Sequence, residues 1–128
     1  MKKIIILVGT ILCLFSLTSC TREIKEIHIY SFWASSPIII QNKDEITKFK
    51  KMILDQKYEK DSDGLFESIE GGYYRLWFLD ENDCTVGKSE YLITSSGYIF
   101  YLNIIGDEEV SYVSKSKIDY NQFLSMLK

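Results

Sequence analysis

The hydrophobic period of this 128-residue chain changes several times, and each change marks an element. Ile27 and Ile29 alternate with Glu26 and His28, the period of two that puts successive side chains on opposite sides of a strand. At Asn42-Lys43-Asp44-Glu45 the period lengthens. Asn42 is an N-cap residue type with Glu45 at the capping-box position. Ile46, Phe49 and Ile53 then fall on one helix face, leaving Lys48, Lys50, Lys51 and Lys57 to solvent. Asp61-Ser62-Asp63-Gly64 and Gly71-Gly72 are loop signals. From Tyr73 the chain reads as a meander with strands at Tyr73–Leu79, Thr85–Thr94, Tyr98–Ile104 and Glu109–Ser114. Turn residues at Asp80-Glu81-Asn82-Asp83, Ser95-Ser96-Gly97 and Gly106-Asp107 separate them. A second helix closes the chain: Asp119 caps it, Gln122 stands at the capping-box position, Ile118 staples to Phe123, and Tyr120, Phe123, Leu124 and Leu127 share a face. Strand, helix, four-strand meander and helix predict an α+β domain over residues 27–128, an antiparallel sheet of about five strands with two helices packed on it.

The meander strands are apolar on both parities. Tyr74, Leu76 and Phe78 oppose Tyr73, Trp77 and Leu79, and Ile99 and Tyr101 oppose Tyr98, Phe100 and Leu102. A sheet with one wet face would alternate more cleanly. Either each helix, or the Phe32–Ile40 segment, covers part of a face, or Tyr73, Arg75, Trp77 and Tyr101 form an exposed binding patch of residue types enriched in hot spots.

The first twenty residues follow a different logic. Lys2-Lys3 precedes a fourteen-residue apolar run, Ile4 to Leu17, the anatomy of a signal peptide. As a helix that run reaches about 21 Å, short of the roughly 30 Å core of a bilayer. Leu17-Thr18-Ser19-Cys20 resembles the lipobox of bacterial lipoprotein precursors. The resemblance implies removal of residues 1–19 and a lipid-modified, palmitate-bearing Cys20 followed by a short tether over residues 20–26. Two acyl chains, at about 0.8 kcal/mol per buried methylene, hold a protein stably on a membrane. The expected location is the cell envelope, on the outer face of the cytoplasmic membrane or on the outer membrane. Thr21 stands where an aspartate commonly marks inner-membrane retention in Gram-negative lipoproteins.

Cleavage before Cys20 would leave 13 Lys and Arg against 18 Asp and Glu, a net charge of −5. That balance carries no electrostatic footprint for nucleic acid and gives no attraction to anionic headgroups. Cys13 would leave with the signal and Cys20 would become a thioether, so Cys84 is the one thiol remaining, and it has no disulfide partner.

Catalytic sets are incomplete. Ser114-Lys115-Ser116-Lys117 contains the Ser-x-x-Lys of penicillin-binding enzymes without the companion motifs of that class. His28 is the one histidine, which leaves too few soft ligands for an ordinary zinc site. Asp61-x-Asp63-Gly64, Asp80-x-Asn82 and Asp107-Glu108-Glu109 miss the spacing of a calcium loop. The expectation is therefore a non-enzymatic, lipid-anchored envelope module without cofactor or metal, whose small domain binds a protein or an envelope component. The alternatives are a small hydrolase using carboxylates such as Glu67, Glu70 or Glu90, and a calcium-dependent adhesion module.

Overall fold

The structure is a computed structural model and describes residues 23–127. Seven strands form one sheet: β1 (Glu26–Tyr30), β2 (Ile38–Ile40), β3 (Tyr58–Lys60), β4 (Tyr73–Leu79), β5 (Tyr91–Thr94), β6 (Ile99–Ile105) and β7 (Glu108–Ser114). Their order is β2-β1-β4-β5-β6-β7-β3, and every neighbouring pair is antiparallel. The helices are α1 (Lys43–Ile53) and α2 (Tyr120–Met126). The domain is thus α+β with an antiparallel sheet and two helices, as its periodicity predicts.

The count of about five strands is too low, because both edges are closed by three-residue strands. Ile38–Ile40 and Tyr58–Lys60 are too short to display a period, and their partners β1 and β7 hold them in place. The expected strand Thr85–Thr94 is also shorter. Only Tyr91–Thr94 is ladder; Thr85 makes an isolated bridge to Leu79, and Gly87 turns the chain at φ +78°. A Cβ there would lie 2.8 Å from the Tyr91 hydroxyl and 2.9 Å from Leu54 Cδ2, so glycine admits the close approach that breaks the strand.

Local signals set the helix starts. The Asn42 side chain accepts hydrogen bonds from the backbone N–H groups of Asp44 and Glu45, and that of Asp119 accepts from Gln122 N–H. Both helices lie on one face of the sheet. Ile46, Phe49, Ile53 and Phe123 pack there against Ile27, Ile29, Leu76, Phe78, Ile93 and Ile99, with Phe49 and Phe123 edge to face at 6.1 Å. Each such side chain contributes about 1.5–3 kcal/mol on leaving water.

The other face has a smaller cluster, Leu92, Phe100 and Val113, on β5, β6 and β7. The helices cover the opposite face, and Phe32 of the Phe32–Ile40 segment packs on Tyr73 at the margin of this one, but the cluster itself has another cover. It is the loop between β3 and β4, whose Leu65, Phe66 and Ile69 pack on the cluster. Asp61 holds this loop: its carboxylate accepts from the N–H groups of Leu65 and Phe66 and from the Ser111 hydroxyl on β7.

Candidate functional site

The β3–β4 loop covers the β5–β7 side of the outer face, while on the β1–β4 side Glu26, His28, Tyr30, Arg75 and Trp77 are half-buried and Leu79 is buried. β1 and β4 pair with Tyr30 opposite Arg75, His28 opposite Trp77 and Glu26 opposite Leu79, which gathers these residues on one face. The rings of Tyr30 and Trp77 meet at 5.0 Å and 53°. The Arg75 guanidinium carbon lies 5.8 Å from the Tyr30 ring centre and 5.7 Å from that of Trp77, within cation–π range of both. Arg75 Nε donates to Glu90 Oε1 at 2.7 Å, and its side chain remains 44% exposed. An ion pair this wet adds little stability. It does hold the guanidinium over the rings.

Beside this group, His28 Nε2 lies 2.7 Å from Glu26 Oε2, and Gln41 donates to Glu26 Oε1. The hydrogen bond with His28, followed by that from Gln41, holds the Glu26 carboxyl below its ordinary range. Beyond Tyr30 the surface continues into Phe32, edge to face with Trp33 at 4.5 Å and with Tyr73 at 5.4 Å. The site is an aromatic strip that carries the Arg75 guanidinium, with the Glu90 carboxylate paired to it and that of Glu26 beside His28.

Of the four patch residues expected from sequence, Arg75 and Trp77 lie together, and Tyr73 adjoins them through Phe32 while also packing on Phe66. Tyr101 does not belong to the patch. Its parity on β6 points it to the helix face, where it is buried and stacked on Tyr112 at 4.9 Å and 9°. Tyr58 meets it at 5.1 Å and donates its hydroxyl to the carbonyl of Ile53. Burial pushes the phenols of Tyr58, Tyr91 and Tyr101 above their usual range. Tyr30, Phe32 and Glu90 join the site without having been expected there. The alternation along β1 already put Tyr30 on the side of His28; the missing information was that β1 pairs with β4.

The remaining chemical candidates are dispersed. Glu67 and Glu70 are exposed on the β3–β4 loop, apart from Glu90, which faces Arg75. Ser114 is buried, and its hydroxyl oxygen accepts from Ile99 N–H. Lys117 places its ammonium 5.0 Å from the Tyr98 ring centre. The Asp80 carboxylate accepts from Asn82 and Cys84 N–H and shapes its turn, whereas Asp107, Glu108 and Glu109 are exposed at the β6–β7 hairpin. Cys84 is an exposed thiol in the Asp80 turn. Among the described residues, no three His, Cys, Asp or Glu side chains are grouped to hold a metal ion. No helix among them is long and apolar enough to cross a membrane. Cys20 and the lipobox lie outside the described residues.

Clefts also lie away from this strip. One of about 380 Å³ lies between the β3–β4 loop and the Ser95-Ser96 turn, lined by Leu65, Ile69, Thr94 and Tyr98. Another of about 370 Å³ separates the helices, with Lys48, Lys51 and Lys117 on its rim. Compared with protein-family models, with curated proteins and with solved structures, the chain matches none.

Proposed function

We propose that this protein is a lipid-anchored envelope module whose domain binds another protein or an envelope component through the outer face of β1 and β4, without catalysing a reaction. The observation that carries the reading is the Arg75 guanidinium held by Glu90 over Tyr30 and Trp77 on an uncovered stretch of sheet. Arginine and tryptophan side chains dominate binding energy where they are rigid before contact, since little side-chain entropy is then lost. The anchor belongs to the same proposal and rests on the lipobox resemblance at Cys20.

Site-specific cross-linking tests it. A photoreactive phenylalanine analogue replaces Tyr30 on the strip or, as control, Asn121 on the exposed side of α2. In the native envelope the expected result is one discrete adduct from position 30, absent from position 121 and lost in a Trp77→Ala variant with an unchanged circular dichroism spectrum. Equal adduct patterns from the two positions would remove the strip from the reading.

A further inference from the structure

Residues 31–42, Ser-Phe-Trp-Ala-Ser-Ser-Pro-Ile-Ile-Ile-Gln-Asn, contain no charged side chain, although 26% of the chain is charged. They form the β1–β2 connection and edge strand β2. Trp33 is 87% exposed, and Ile39, Phe32 and Ile38 also stand in solvent. The other exposed apolar pair, Ile104 and Ile105, is placed differently. It sits cross-strand from Glu109 and Glu108 at the β6–β7 hairpin, where the carboxylates favour water. Among the described residues, the β1–β2 edge is where bare aromatic and branched side chains fall in a stretch of sequence without charge.

The chain leading to this edge supplies the occupant. Cys20 stands three residues before Glu23, where the described structure starts, and three residues span at most about 11 Å. Ile24 is buried and Lys25 N–H donates to the Leu79 carbonyl, so the chain is already fixed there. It enters β1 at the Glu26 end, beside Ile40 of β2, so that the strand itself leads along the edge from the anchor to Phe32 and Trp33 beyond Tyr30. We infer that the β1–β2 edge lies against the bilayer surface, with Trp33 and Phe32 in the interfacial layer and Ile38 and Ile39 beside them. This rests on the lipid-anchor reading above.

Energetics and charge agree. Tryptophan prefers the membrane interface, and the aliphatic neighbours add favourable transfer from water. A net charge of −5 would be repelled by anionic headgroups, but residues 31–42 add no charge to that repulsion; the Glu26 carboxylate, to which Gln41 donates, stands at the other end of β1 from Trp33, so the contact made by Trp33 and Phe32 is apolar and only weakly sensitive to salt. With the edge down, β1 and β4 run along the membrane plane, and the Arg75 strip is turned toward whatever lies beside the protein on that surface.

The test uses the protein as isolated from the membranes of bacteria that express the whole sequence, mixed with phosphatidylcholine vesicles. Ser36, in the β1–β2 connection, or Ser62, beyond the opposite edge strand β3, is changed to cysteine in a Cys84→Ser background and labelled with an environment-sensitive dye. Flotation of the vesicles reports the anchor separately. The expected result is flotation together with a blue shift and severalfold quenching by brominated lipid at position 36, little changed in high salt, and none at position 62. Flotation with identical behaviour at both positions would overturn the inference while leaving the anchor intact. Failure to float would overturn the lipoprotein reading itself. A blue shift at position 36 in a Cys20→Ser protein without vesicles, rising with protein concentration, would assign the edge to a second copy of the chain and overturn the membrane contact.

Discussion

At the scale of single residues, the buried tyrosines bear on how the domain responds to alkaline pH. Tyr58 donates to the carbonyl of Ile53, the last residue of α1, and packs against Tyr91 and Tyr101. Its pKa is raised, chiefly by burial, so the folded state holds the phenolic proton more tightly than the unfolded chain does. The stabilisation is therefore complete below the unfolded tyrosine value of about 10 and is lost as pH rises above it. Tyr58→Phe deletes the hydrogen bond and leaves that carbonyl unpaired. It should cost about 1–2 kcal/mol at neutral pH. The same change should flatten the fall in melting temperature on the alkaline side. A variant whose alkaline decline is as steep as that of the unmodified protein would show that other groups govern it.

At the scale of elements, caps and one glycine carry consequences that burial does not reveal. Asn42→Ala removes the acceptor for two backbone N–H groups at the start of α1 and should cost about 1 kcal/mol in urea unfolding. Gly97 matters more. It sits in the β5–β6 turn at φ +92°, and a Cβ there would approach the Ile118 carbonyl oxygen to 2.6 Å. Gly97 also accepts a hydrogen bond from Ile118 N–H, which fastens the entry to α2 against the sheet. Gly97→Ala combines a left-handed backbone with a backbone clash and should cost at least about 2 kcal/mol, with α2 losing amide-exchange protection first. Equal loss of protection across the whole sheet would mean that the turn and α2 unfold with everything else.

At the scale of the whole molecule, the sheet has two unlike sides, and Asp61 separates the covered part of the outer side from the bare part. Its carboxylate ties the β3–β4 loop to its own backbone and to Ser111, fifty residues away. Asp61→Ala should lower stability by about 2 kcal/mol and increase binding of a hydrophobic dye as Leu92, Phe100 and Val113 become reachable. Because these oxygens already accept N–H and hydroxyl donors, calcium and chelator should leave the melting temperature of the unmodified protein equal. A calcium-dependent rise abolished by Asp61→Ala would reassign the loop as an ion site.

Elements whose signals are local were legible in the sequence. Asn42 and Asp119 announce helix starts through side-chain oxygens that reach N–H groups two or three residues on, and Ile46, Phe49 and Ile53 repeat at helical spacing. The apolar double parity of β4 and β6 left open a partly covered second face or an exposed aromatic patch, and the structure covers its outer face only in part. Sequence could not place the cover, because Leu65, Phe66 and Ile69 have no period of their own and are directed by Asp61. Nor could it separate Tyr101 from Trp77: parity is defined within a strand, but the face each parity meets depends on which strands pair. That pairing was decided by the tertiary structure alone. It placed β1 beside β4, moved Tyr101 into the helix-side core, and brought Tyr30 to Arg75 across forty-five residues of chain.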